Sequence, residues 1–314
     1  MVEDFPKLIV ISGPTCSGKS ALAVELALML GGEIINADSM QAYKGMDIGT
    51  AKLPLSERKG IPHHLIDIVN PDQEFNAALF LLHTLPIIRD LHGKKMPIIV
   101  VGGTGLYVKT LLGGLFKCPP SKPELRQNLI EEYEKRGPSF LYQRLSSLDR
   151  KAADTIHPKD KVRIIRALEV IHLTGSPFSE LTSKHGFSDR RFLALNLCLN
   201  VERQVLYSRI NRRTMSMIDS GLINEVKRLL KVGYGPELKP MQAIGYRHII
   251  GYLKGRWDLD EATRQIQRDT RRYAKRQLTW FRANPDIIWV NPDYKPNIIN
   301  KVVSFMNRKM NRKT

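Results

Sequence analysis

Short apolar runs alternate with helix-period stretches through the first third of the chain. Leu8-Ile9-Val10-Ile11-Ser12 is apolar on both parities, as in a strand buried on both faces of a parallel sheet. Ala21 to Leu28 reads as a helix, and Glu33-Ile34-Ile35-Asn36-Ala37-Asp38 as a second strand. Phe75 to Leu91 reads as another helix, followed by a buried strand at Pro97-Ile98-Ile99-Val100-Val101. This alternation predicts an α/β fold with a doubly wound parallel sheet. Ligands of such sheets bind at the carboxyl ends of the strands. Asp38 and the turn Gly102-Gly103-Thr104-Gly105 both follow strands directly, so they should face one crevice with the loop after Ser12.

The pattern changes near Cys118-Pro119-Pro120. From there to about residue 190 the periodicity is helical and charge-rich, at Glu124 to Arg136, Phe140 to Asp149 and Asp160 to Thr174. A strand-like run returns at Arg191 to Leu197, mostly helices follow, and Ile287-Ile288-Trp289-Val290 reads as a last strand. The expected organisation is one α/β core, residues 1–116 and 190–314, carrying a helical insertion at 117–189. The basic tail Asn307 to Thr314 is expected to fray, and the chain shows no internal repeat.

Charge narrows the choice of partner. The 314 residues carry 49 Lys and Arg against 31 Asp and Glu, a net charge of +18. A small-molecule enzyme has no need of that excess, whereas a bulky polyanion such as nucleic acid, or an anionic membrane surface, would explain it. Three scattered cysteines, Cys16, Cys118 and Cys198, form no CxxC pair, which argues against a zinc site and a disulfide framework. Met1 to Pro6 lacks the basic and apolar regions of a signal peptide, and no apolar run approaches membrane-spanning length. A cytoplasmic protein without a membrane segment is expected.

The strongest chemical signal is Gly13-Pro14-Thr15-Cys16-Ser17-Gly18-Lys19-Ser20. It fits the P-loop pattern G-x-x-x-x-G-K-[ST] between a strand and a helix, the context that separates it from a chance glycine-rich turn. Backbone N–H groups and the helix N-terminus would cradle a polyphosphate, Lys19 would add a mobile cation, and Ser20 could ligate Mg²⁺. Phosphate-loop ATPases and GTPases usually also hold Mg²⁺ with an Asp at a buried strand end. Here the best strand ends in Gly102-Gly103-Thr104-Gly105, and Asp67 is a weak substitute. That departure counts against an ATP-driven motor and leaves small-molecule kinases and diphosphate-using transferases.

Asp38 fits two roles equally well on its own segment: a base facing a phosphate crevice, or a cap on the following turn. The Gly102 to Gly105 turn is open in the same way, since its glycines admit either a ligand or a tight strand-to-helix connection. Arg264, Arg268, Arg271, Arg272, Lys275 and Arg276 share one face of a helix, with Asp269 the only acid between Arg264 and Arg282. Like charges so placed repel, and a polyanion partner accounts for them better than a solvated face of mixed sign. The insertion is basic too, at Lys159, Lys161, Arg163 and Arg166, yet no standard nucleic-acid module is present. Recognition of RNA shape and loops fits better than groove reading.

Taken in order, several segments resemble the tRNA dimethylallyltransferase (tRNA isopentenyltransferase) family of bacterial type. They are the phosphate loop, Asp38 to Lys52, Pro62 to Asp67, Gly102 to Tyr107, Arg166 to Val170, Gln242 to Arg247 and Ala274 to Phe281. The resemblance implies transfer of a dimethylallyl group from dimethylallyl diphosphate to the exocyclic amine of the adenosine 3′-adjacent to the anticodon, with Mg²⁺ assisting. It assigns Asp38 as general base and Thr104 as a contact near the reacting amine. Lys19 joins Gly13, Pro14, Thr15, Cys16, Ser17, Gly18 and Ser20 in holding the diphosphate, and Arg212 is expected to help. Contacts to the tRNA anticodon stem-loop are implied for Ser39, Met40, Gln41, Arg126, Lys161, Val162, Arg163, Ile164 and Ile165. Others are implied for Met241, Gln242, Ala243, Gly245, Tyr246 and Arg247. Cys16 departs from the family's common alanine, and the zinc-finger extension of eukaryotic members is absent. A monomer is expected. The competing readings are a small-molecule phosphotransferase, an adenylate prenyltransferase and a non-catalytic RNA-binding protein.

Overall fold

The first apolar run forms β1 (Lys7–Ser12), whose alternate residues enter two different cores. It leads through the glycine-rich loop into α1 (Lys19–Leu30), and β2 (Glu33–Asn36) follows. A two-residue strand, β3 (His63–His64), stops where Leu65 and Asp67 turn to positive φ. Next come α2 (Ala77–Gly93), N-capped by the Asn76 side chain, then β4 (Ile98–Gly102) and α3 (Gly105–Gly113). The computed structural model describes residues 5–116, 118–119, 122–189 and 191–308. The expected frayed tail therefore lies outside the described residues beyond Arg308.

Five helices follow: α4 (Pro123–Arg136), α5 (Pro138–Leu148), α6 (Arg150–Thr155), α7 (Lys161–Thr174) and α8 (Phe178–His185). The sheet resumes with β5 (Leu193–Leu199). After it come α9 (Arg203–Asp219), α10 (Leu222–Lys231), α11 (Tyr246–Leu253), α12 (Leu259–Arg282), β6 (Ile288–Val290) and α13 (Lys295–Asn307).

The six strands are parallel in the order β3-β2-β4-β1-β5-β6. Leu8 and Val10 of β1 join Ile35 and Val100 in a core closed by side chains of α2, α3, α10, α11 and α12. Ile9 and Ile11 point the other way, into a core closed by α1 and α13. Apolar burial on both faces explains why these strands lack polar alternation. Helices on both faces make the sheet doubly wound, as the alternating pattern predicts.

The chain divides into two compact units, Met1–Leu112 with Arg191–Thr314, and Gly113–Arg190. The second is all helical and has its own core of Leu129, Leu141, Leu145, Ile164, Ile165 and Leu168. Asp149 caps α6 and accepts both the N–H and the hydroxyl of Ser179, at 2.7 Å each. Burial pushes its carboxyl up, but the Ser179 and Ala152 hydrogen bonds outweigh it and leave it below the usual carboxylate range.

Candidate active site

Three neighbouring strands deliver the site. β1 ends at the phosphate loop, β4 at Gly102, and β2 at Ala37-Asp38. Gly18, at φ 89°, is the N-cap of α1, and no side chain caps that helix, so its first N–H groups stay open to an anion. Cys16 is also left-handed, at φ 64°, and packs beside Leu206, Ile210 and Ala274. Backbone strain at a non-glycine residue belongs to positions where the surroundings over-determine the loop. The buried Ser17 hydroxyl beside Gly13 has no hydrogen-bond partner among the described residues.

Lys19 opens α1, half-buried, and donates to the Pro14 carbonyl at 3.3 Å. Burial holds its ammonium below the ordinary lysine range; Asp38 pulls it back up, and Arg213 depresses it further. An arriving polyanion would favour its charged form. Arg213 also donates to the Thr15 hydroxyl. Arg212, the residue expected on the diphosphate, is exposed instead. Helical phase separates the two arginines: Arg213 shares a face of α9 with Leu206 and Ile210, and Arg212 lies off it.

The two roles weighed for Asp38 coexist. Its Oδ1 accepts the Met40 N–H at 2.9 Å, capping the turn, while its charge still acts on Lys19. Thr104 is drawn to the same place. Its Oγ1 accepts the Ser39 N–H at 3.0 Å and donates to the Ser39 hydroxyl at 3.3 Å. The Gly102-Gly103 pair is demanded by the protein itself. A Cβ on Gly102 would stand 2.2 Å from the Ala37 carbonyl oxygen, and one on Gly103 would stand 2.3 Å from Gln277 Nε2.

The segment after Asp38 is fixed by its own ties. Gln41 Nε2 donates to the Thr50 and Ala51 carbonyls at 3.2 and 3.3 Å. Lys52 pairs with Asp47 and Asp67 and caps the Tyr43 carbonyl. Asp67 is thus engaged by a lysine. From α10, the buried Glu225 accepts N–H groups of Asp47, Ile48 and Gly49 at 2.9, 2.8 and 3.1 Å, and the Tyr246 hydroxyl at 2.6 Å. Burial and the Glu225 carboxylate keep the Tyr246 phenol far above its usual range, so it remains a donor.

Several residues expected at an RNA surface belong to the core. Met241 and Tyr246 are fully buried, as is Ile164, and Ile165 is 3 % exposed. Gly245 is buried and Met40 and Ala243 are half-buried. Their side chains are therefore not the ones these stretches offer. Val162, Arg163, Gln242 and Arg247 carry the exposed positions. In the helical unit, Arg126 and Arg166 pair with the buried Glu169 at 3.6 and 2.8 Å, and Lys161 with Glu134 at 2.9 Å.

The cationic face of α12 divides. Arg264, Arg268, Arg272, Lys275 and Arg276 are exposed, whereas Arg271 turns to Asn211 at 2.7 Å. Asp269 gathers Arg247, Arg268, Arg272 and the buried His248. Burial opposes its ionisation, but hydrogen bonds from Arg247 and His248 win and hold its carboxyl at about 2.

Gln277 lies in the family-like segment Ala274 to Phe281 but is given no role there by the resemblance. It is 6 % exposed, accepts the Thr15 N–H at 2.8 Å and donates to the Gly103 carbonyl at 2.9 Å. The available signal was a lone amide among Ile266, Ala274 and Phe281 on the buried face of α12. Among the described residues no cluster of three or more His, Cys, Asp or Glu could hold a metal, and no helix is long and apolar enough to cross a membrane.

Known proteins resemble this chain in sequence and in fold. The profile described as IPP transferase matches residues 41–284, and that described as isopentenyl transferase matches residues 6–64. The chain is 50 % identical over 301 residues to tRNA dimethylallyltransferase 2 of Syntrophus aciditrophicus, covering 96 % of this chain and 97 % of the relative. It is 50 % identical over 284 residues to the tRNA dimethylallyltransferase of Geobacter sulfurreducens, covering 90 % and 91 %. Among solved structures, the full-length tRNA isopentenylpyrophosphate transferase of Bacillus halodurans superposes with a TM-score of 0.71 at 41 % identity, covering 96 % and 97 %. A eukaryotic dimethylallyltransferase acting on tRNA superposes with a TM-score of 0.83 at 31 % identity, covering 98 % of this chain and 81 % of that one.

Proposed function

The chain belongs to the IPP transferase family of tRNA dimethylallyltransferases, and from that premise we propose how its crevice prenylates tRNA. The donor is dimethylallyl diphosphate, and the acceptor is the exocyclic amine of the adenosine 3′-adjacent to the anticodon. The observation that carries this reading is the meeting of an anion loop, a carboxylate and a hydroxyl at three neighbouring strand ends.

In the reaction a bond forms between the amine nitrogen and the allylic carbon, and the bond from that carbon to the diphosphate oxygen breaks. Lys19, the open N–H groups of α1 and Arg213 stabilise the charge gathering on the departing diphosphate. Asp38 takes the amine proton with the oxygen that the Met40 N–H leaves free. The amine is a weak nucleophile because its lone pair is delocalised into the purine, so orientation matters, and Thr104 supplies it. The base must leave its stack to reach the crevice. Exposed cations of α12 and of the helical unit hold the stem-loop phosphates.

Mg²⁺ fits this donor set. It commonly takes one or two protein ligands and completes its shell with phosphate and water. Ser20 would be the protein ligand, and the orphaned Ser17 hydroxyl lies in the same loop. Bound there, the ion would neutralise charge on the leaving group. We take the working form to be a cytoplasmic monomer. An ATP phosphotransferase is disfavoured by the pairing of Asp67 with Lys52.

The test is transfer of label from dimethylallyl diphosphate, with Mg²⁺, to tRNA or AMP. Label is expected on tRNA; label on AMP and none on tRNA would overturn the reading. Asp38→Asn should bind tRNA normally and lose turnover by about a hundredfold or more. Wild-type rates in that variant would remove Asp38 from the base role.

A further inference from the structure

Gln277 stands between the two halves of the crevice. Its Oε1 accepts the N–H of Thr15, in the loop that would hold the donor, and its Nε2 donates to the carbonyl of Gly103, in the turn that carries Thr104. The amide orientation is unambiguous, because one partner can only donate and the other can only accept. The side chain is 6 % exposed, and a Cβ on Gly103 would meet its Nε2 at 2.3 Å, so the turn is shaped around the amide. Loss of the amide would take this acceptor from the Thr15 N–H and this donor from the Gly103 carbonyl.

We propose that Gln277 is a positioning residue that sets the spacing between donor cradle and acceptor turn. The inference rests on the prenyl-transfer reading above and deepens it. Nothing in it requires Gln277 to touch either substrate. Attack at the allylic carbon requires the amine and the diphosphate to be held in line within a few tenths of an ångström, and a misplacement of about 1 Å costs on the order of a hundredfold in rate. β1 and β4 pair directly, so the sheet fixes the strands, but the loop after Ser12 and the turn after Gly102 extend beyond that ladder. The Gln277 amide is a hydrogen-bonded link across this gap from α12. The helix also exposes Arg268, Arg272, Lys275 and Arg276, so RNA seated on those cations bears on the element that holds the tie.

Two variants separate this role from simple support of the loop. Gln277→Met keeps the length and removes both bonds. Gln277→Glu keeps an acceptor for Thr15 and loses the donor to Gly103. Thermal melts confirm that each is folded. Affinity for inorganic diphosphate and for tRNA is measured separately, alongside the single-turnover rate of prenyl transfer. Both variants should hold the two affinities within about threefold of wild type while the rate falls about a hundredfold. A wild-type rate in either folded variant overturns the proposal, as does a rate loss matched by lost diphosphate affinity. If Gln277→Met fails to fold, Gln277→Glu decides by the same criteria. Wild-type protein that fails to label tRNA would instead count against the prenyl-transfer reading, independently of the tie.

Discussion

Lys19 serves the site at the expense of the fold. Its ammonium sits where burial penalises charge, with Asp38 the largest relief and Arg213 adding to the penalty. A lysine whose folded pKa lies below its unfolded value binds fewer protons when folded, so stability rises with pH between the two values. The cost is greatest and constant below the folded value, and it vanishes as pH approaches the ordinary lysine value of 10.5. Lys19→Met should therefore melt higher than wild type at pH 7, with the gap closing as pH rises. Equal or lower melting temperatures across that range would show that the lysine is not strained. At this scale the sequence was legible wherever a motif dictates spacing. The phosphate loop, Asp38 and Thr104 converge as their strand-end positions require. Residues that act through helical phase were harder to see. Arg213 lies one position past the expected Arg212, and the buried Ile164 and Ile165 sit between the exposed Arg163 and the half-buried Arg166.

Among the elements, α10 does more than cover the sheet. Glu225 receives three consecutive backbone N–H groups and a phenol, so one carboxylate shapes residues 47–49 and the start of α11 together. Gly49 lies flat against the Tyr246 ring, where a Cβ would stand 2.5 Å from a ring carbon. Glu225→Ala strands three part-buried backbone donors and one buried phenol, and hydrogen bonds to charged groups contribute about 1.5–3 kcal/mol each, with partial rescue by water. A loss of about 3 kcal/mol or more in urea unfolding is expected, with faster amide exchange at 47–49; a loss below about 1 kcal/mol would refute the clamp. The sequence announced the long strands and helices to within a few residues because their apolar runs are unbroken. It gave no sign of β3, whose two histidines carry no strand pattern, nor of the short helices α6 and α8. Nothing near Glu225 in the sequence points to its role, because its backbone partners lie 176 to 178 residues away.

For the molecule as a whole, net charge and architecture point to the same partner. A +18 chain that exposes six cations along one helix, Arg264, Arg268, Arg272, Lys275, Arg276 and Arg282, should bind tRNA with a steep dependence on salt. Replacing Arg272 and Lys275 with Gln should weaken binding to all tRNA sequences alike and flatten the plot of log Kd against log salt by about two. An unchanged slope would place the phosphates elsewhere.

The placement of the insertion also dictates an order of assembly. β1 is the middle of the sheet, yet its partners are β4, some ninety residues later, and β5, beyond the whole helical unit. As the chain emerges from the ribosome, β1 is first a bare edge, apolar on both faces, and it gains its second neighbour only when residues 193–199 appear. Three of the five helices that close one core, and one of the two that close the other, come later still. The insertion builds its own core from neighbouring helices in the meantime. From the completion of the helical unit at residue 190 until β6 appears at residues 288–290, then, this protein is a finished helical unit attached to an unfinished sheet. The sticky edge of that sheet makes the nascent chain a natural client for chaperones.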